Sequence, residues 1–205
     1  MIRPSQALAL AAGLLASALA PPPARAGDLE SVFAKAERVE RLDAFLERVI
    51  GRCTDPYTRK QCEDQVAAAR KDVAAKTFVV KVSDATALVK PQIEGDGFVV
   101  LLTPFVDGGG FALTHGTPTK QDAGGNPMVN LVPIRGKLPP GTMDLDFLSP
   151  FRTGAVDLEI VFKPTKPWKM PKKGGGSMEG LGSRFVAVKL LDARSGNEIA
   201  ADAVR

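Results

Sequence analysis

The chain has 205 residues, 44% hydrophobic and 24% charged, with 27 Lys and Arg against 23 Asp and Glu for a formal net charge of +4. That near balance excludes the strongly basic surface of a nucleic-acid binder. Two cysteines and one histidine fall short of the four ligands of a structural Cys/His zinc site, and no metal or cofactor is predicted.

Residues Met1–Gln6 carry one charge, Arg3, and are followed by the small and apolar run Ala7–Ala20. Its 14 residues are fewer than the roughly 20 of a membrane-spanning helix, but they suit the apolar part of an export signal. Pro21–Ala26 supplies a helix break and an Ala24-Arg25-Ala26 cleavage signature, so residues 1–26 are predicted to be removed after Ala26. Gly27 stands where a lipid-modified product would carry cysteine. The expected product is soluble and exported, to a periplasm or beyond, with no transmembrane segment left. Losing Arg3 and Arg25 leaves 25 basic and 23 acidic residues, a net charge of +2. The Ala-rich signal fits a bacterial origin.

From Asp28 to Ile50 the apolar residues Leu29, Val32, Phe33, Ala36, Val39, Leu42, Leu46 and Val49 recur every three or four positions, which predicts one amphipathic helix. Thr54-Asp55-Pro56 reads as a stop and restart, with Asp55 as cap and Pro56 at the first position of a second helix running to Lys76. The first stripe extends to Cys53 and the second, Cys62, Val66, Ala69 and Val73, begins at the other thiol. The cysteines therefore lie on facing seams of a helical hairpin over residues 27–76, and in an oxidising compartment they are expected to pair. Closing so short a loop stabilises by about 2–3 kcal/mol on a chain-entropy argument. Arg59 and Lys60 beside Cys62 would favour a thiolate, the alternative redox reading, although the spacing is far from Cys-x-x-Cys.

Beyond Lys76 the pattern alternates. The runs 77–83, 97–103, 110–114, 128–134, 155–162 and 184–191, with a last one near 198–200, are short, rich in Val, Leu and Phe, and punctuated by Gly, Pro and Asn. They predict an α+β chain in which a disulfide-linked hairpin precedes a mainly antiparallel β-sandwich over 77–205, with a small β-barrel as the alternative. Without helical crossovers, a parallel sheet is not expected.

Reactive groups are sparse. His115, at the end of a predicted strand, is the one candidate base, and no Gly-x-Ser-x-Gly surrounds a serine; Gly175-Gly-Ser-Met-Glu departs from that pattern at Glu179. Gly174-Gly-Gly-Ser lacks the Lys-Ser/Thr of a phosphate loop. Glu94 with Asp96, and Asp144 with Asp146, would share a face of an extended segment and could hold a hard cation, but neither pair completes a calcium loop. The stretch 163–173 is different: five lysines, no acid, and Trp168, the only tryptophan. Lys163, Lys166, Lys169 and Lys172 recur every three residues among prolines that favour a polyproline II loop, which would align them at about 9 Å intervals. With Lys173 and Trp168 they form a candidate contact for an anionic surface.

These features predict an exported, non-enzymatic binding or envelope-associated module, meeting an anionic envelope component or another protein and not nucleic acid. The alternatives are a hydrolase with its site around His115, and a carrier of a small apolar ligand in a sandwich or barrel cavity.

Overall fold

The computed structural model describes residues 26–138 and 140–204; the predicted export signal lies outside them but for Ala26. The chain is α+β. In order it forms α1 (Ala26–Lys35), β1 (Glu37–Val39), α2 (Leu42–Ile50), α3 (Arg59–Ala74), β2 (Phe78–Val82), a 3-10 turn at Ala85–Leu88, β3 (Val89–Glu94), β4 (Gly97–Leu102), β5 (Phe105–Asp107), β6 (Phe111–His115), β7 (Val132–Lys137), α4 (Asp144–Arg152), β8 (Val156–Pro171), β9 (Ser177–Asp192) and β10 (Glu198–Ala203). One sheet runs β1-β2-β8-β9-β6-β5, with β10 also on β9; the other is β3-β4-β7.

The stripe from Leu29 to Val49 does not form one helix. It is divided between the two faces of the larger sheet. Leu29, Val32, Phe33 and Ala36 of the first segment pack on Val79, Val161 and Ala187, whereas Phe45, Leu46, Val49 and Ile50 of α2 enter the main core on the opposite face. A straight helix can cover only one face, so the chain must cross the sheet edge between them. It does so as β1, whose Glu37 N–H donates to Thr77 O at 2.9 Å and whose residues pair in parallel with Phe78–Val80. Each large apolar side chain so buried contributes about 1.5–3 kcal/mol relative to exposure, which outweighs the turns of helix given up. The centre of the main core is a triangle of Phe45, Phe78 and Phe162, with ring centroids 5.0, 5.8 and 5.9 Å apart.

The disulfide Cys53–Cys62 is present, with Cα atoms 5.6 Å apart. The second helix starts at Arg59, three residues after Pro56. Asp55 does not cap it: its Oδ1 accepts the Tyr57 N–H at 2.9 Å and its Oδ2 the Thr58 hydroxyl at 3.0 Å, closing a turn between the cysteines.

The barrel alternative is corrected. The sheets share one core but do not close into a barrel. At the β7–β10 seam, Arg135 N–H donates to the Asp202 carboxylate at 3.2 Å, and Pro133, two residues earlier on the same edge, has no N–H to offer. A side chain and a proline thus stand where a barrel would need a backbone ladder. Both sheets are mostly antiparallel, as expected, with parallel pairings in the larger one between β1 and β2 and between β6 and β9.

Candidate functional site

Strand β9 changes neighbour halfway along. β6 lies parallel to its residues 179–183, and β10 lies antiparallel to 187–191. The ladder of β6 ends with Gly116 N–H on Ser183 O, and that of β10 with Val204 N–H on Val186 O. Between these ends the Phe185 N–H would lack a strand partner; it donates instead to His115 Nδ1 at 3.0 Å. The imidazole completes the ladder, with the Phe185 ring 5.3 Å from its own. Burial holds the His115 pKa below the usual 6.5, and the N–H aimed at Nδ1 favours the same neutral form. In that form Nδ1 is the acceptor, so the ring proton sits on Nε2.

His115 lines an open cleft of about 510 Å³ at the β7–β10 seam. Arg135 and Asp202 flank it, Asn130 adds an amide, and Leu131, Val132, Pro133, Ala203 and Val204 form an apolar wall. Leu131 is 51% exposed although it is aliphatic. Among the described residues neither Arg135 nor Asp202 belongs to an ion pair. The cleft therefore offers a guanidinium, an imidazole N–H and a carboxylate, none of them neutralised by a charged neighbour. This pairing of His115 with an acid is spatial: its residues come from β6, the segment before β7, β7 and β10, and no local motif marks Arg135 or Asp202 in the sequence.

The lysine-rich stretch takes a different form from the one expected. Residues 163–171 are not a polyproline loop; they are the distal part of β8, paired with β9 through a bulge between Pro164 and Pro167. Trp168 is 6% exposed, and its indole N–H donates to Thr114 Oγ1 at 3.0 Å. Its partner Gly180 leaves room for the ring: any Cβ there would collide with the indole and with Ala112 O. The Gly-Leu-Gly of β9 is the sequence trace of that packing. Trp168 is therefore held inside and does not project toward a surface.

The lysines are split as well. Lys169 Nζ lies 2.6 Å from Glu179 Oε1, and Arg52 Nε 3.1 Å from Oε2; Lys169 first, then Arg52 and Ser177, hold this carboxyl below its usual range against the opposing effect of burial. Arg52, next to Cys53, also lies over the Phe111 ring at 4.5 Å and donates to Gly110 O at 3.2 Å. This cluster ties the disulfide loop to the sheet. Lys173 Nζ donates to Ala123 O at 3.1 Å. Lys163, Lys166 and Lys172 remain exposed without a carboxylate partner among the described residues. Lys163 faces Arg184 directly across the ladder, a like-charge juxtaposition that costs stability.

The acid pairs do not assemble. Asp144 and Asp146 occupy the first turn of α4, where they complement the helix N-terminus and do not face one another. Glu94 ends β3 and Asp96 lies in the turn to β4. Among the described residues no three His, Cys, Asp or Glu side chains converge as metal ligands, and no helix is long and apolar enough to cross a membrane.

No curated protein and no solved structure matches the chain. The family model described as a family of unknown function (DUF6066) matches residues 5–202, and the chain belongs to that family.

Proposed function

We propose that this protein is an exported, non-catalytic binding module whose ligand site is the cleft between β7 and β10. The observation that carries this reading is the Phe185 N–H on His115 Nδ1. A hydrolytic base must present an unprotonated nitrogen to its nucleophile. Here Nδ1, the nitrogen that accepts, is occupied by the backbone, and the remaining nitrogen, Nε2, is a donor. Taking up a proton at Nε2 would require the ring to lose its neutral tautomer and the ladder bond. The site is thus equipped to hold a ligand's acceptor, with Arg135 beside it, and poorly equipped to abstract a proton. A carrier of a wholly apolar ligand is less favoured, because the space between the sheets is filled by side chains such as Leu113, Ile134 and Leu158, all 0% exposed.

Export is supported by the Cys53–Cys62 bond, since such bonds persist in oxidising compartments, together with the signal expected over 1–26. In this reading α2 and α3 form the disulfide-linked hairpin, and residues 77–205 form a β-sandwich against which it leans. Native mass spectrometry of protein purified from its own compartment tests the ligand reading. A bound small-molecule mass that disappears in Arg135→Gln is expected; a bare mass under conditions that keep the fold counts against it.

A second contact, for an anionic envelope surface, is favoured by the unrelieved Lys163–Arg184 juxtaposition on exposed strand positions, with Lys166 in the neighbouring bulge. An opposing polyanion would remove that repulsion. Retention on anionic vesicles should fall when Lys163 and Arg184 are both changed to Gln; unchanged retention at low salt removes this contact from the account.

A further inference from the structure

The charges of the cleft are arranged as an opposed pair that does not close on itself. Asp202 is fixed by the Arg135 backbone N–H, which lies in the plane of the strand, at 3.2 Å. The Arg135 side chain stands out of that plane on an exposed position of β7. The group that occupies the N–H is therefore offset from the path of the guanidinium, and the two form no ion pair although they belong to neighbouring strands and line one cleft. A simple anion bound at Arg135 would meet the fixed carboxylate of Asp202, and a simple cation at Asp202 would meet Arg135. Each is opposed by the other charge.

Resting on the cleft being the ligand site, we propose that its ligand is a small dipolar molecule with an aliphatic body: an unblocked aliphatic amino acid or dipeptide. Its carboxylate is received by the Arg135 guanidinium and the His115 Nε2–H. Its ammonium is received by the free oxygen of Asp202, and its side chains lie on Leu131, Pro133 and Val204. A guanidinium binds a carboxylate through two parallel N–H donors, and the neutral imidazole adds a donor without a competing acceptor. The volume of about 510 Å³ falls among small-molecule sites, which run from about 300 to 1,000 Å³. The exposed Leu131 supplies apolar surface that the fold itself does not cover.

Isothermal titration of the whole protein with L-leucyl-L-leucine, N-acetyl-L-leucine and L-leucinamide at pH 7.5 separates the possibilities. The dipeptide is expected to bind at least tenfold tighter than either singly charged analogue. Arg135→Gln should weaken it tenfold or more. Asp202→Asn, which keeps an oxygen for the Arg135 N–H, should erase the preference for the dipeptide over N-acetyl-leucine. If N-acetyl-leucine binds the unaltered protein as tightly as the dipeptide, and loses that binding in Arg135→Gln, the dipolar ligand is wrong while the cleft remains the binding site. If none of the three compounds binds, the dipolar ligand is overturned; the native mass measurement then decides separately whether the cleft holds anything else.

Discussion

Two regions beside β9 treat their polar groups in opposite ways. Along residues 179–183 every strong donor and charge is matched internally: Trp168 to Thr114, Ser183 Oγ–H to Thr114 O at 2.9 Å, Lys169 and Arg52 to Glu179. Around Phe185, where β6 has ended and β10 has not begun, backbone donors are matched and side-chain charges are not: His115 completes the ladder and Asp202 accepts the Arg135 N–H, while the Arg135 and Asp202 side chains line an open cleft with His115 and have no ion-pair partner among the described residues. The first arrangement holds the fold. The second leaves recognition groups facing solvent, at the place where the strand has no neighbour to supply partners. A residue's chemistry alone did not separate the two, since both regions contain cations, an acid and an aromatic ring; satisfaction of side-chain charges did.

That contrast is broken or sharpened by substitutions on each side. The largest effect is expected on the satisfied side. Trp168→Ala removes a buried indole over Gly180 and should cost about 3–5 kcal/mol in denaturant unfolding; a loss below ~1 kcal/mol would mean the ring is not core. Cys53→Ala with Cys62→Ala should cost about 2–3 kcal/mol. Gly180→Ala, which must push the indole or β6 aside, should cost about 1–3 kcal/mol.

At the boundary, His115→Ala leaves the Phe185 N–H without its acceptor and should cost about 1 kcal/mol, with partial recovery in His115→Asn, whose side-chain oxygen can accept the same donor. The same bond sets a pH dependence. The native pKa of His115 lies below its unfolded value of 6.5, so the unfolded chain binds more protons as acid is added; stability holds above about pH 6.5 and declines as the pH falls through the native value. Glu179 adds a second decline below its ordinary 4.5, because its carboxylate is the form held by Lys169 and Arg52. His115→Asn should abolish the upper phase and spare the lower one. On the unsatisfied side, Arg135→Gln should change stability by no more than about 0.5 kcal/mol, as for surface positions with no partner. A larger loss would show that Arg135 serves the fold after all.

Much of this architecture was legible in the residues. Alternating Val, Leu and Phe mark β2, β4, β6, β8 and β9, and the Cys53–Cys62 bond was legible from the pair of cysteines, although Cys53 lies in the loop after α2 and not on a helical seam. What the residues hid was the division of one stripe between two sheet faces, because a helical period records which side of a segment is apolar and not which surface it will meet. β3 carries Pro91 and a mixed pattern that suits an edge strand, and α4 carries Pro150 inside it, so both lacked their usual marks. The lysine period of three pointed to a polyproline loop, but cross-strand pairing with β9 and burial of Trp168 overrode it. The cleft was least visible of all: His115 stood out as the single histidine, while Arg135 and Asp202 are unremarkable alternating charges until β7 and β10 are brought side by side.

The most direct test is the tautomer of His115, read at pH 7.5 from two-bond correlations of its imidazole nitrogens by nuclear magnetic resonance. A neutral ring protonated at Nε2, with the Phe185 amide shifted by its bond to Nδ1, is the predicted result. A ring protonated at Nδ1, leaving Nε2 as a free acceptor in the cleft, would contradict the account and return the site to the hydrolytic reading.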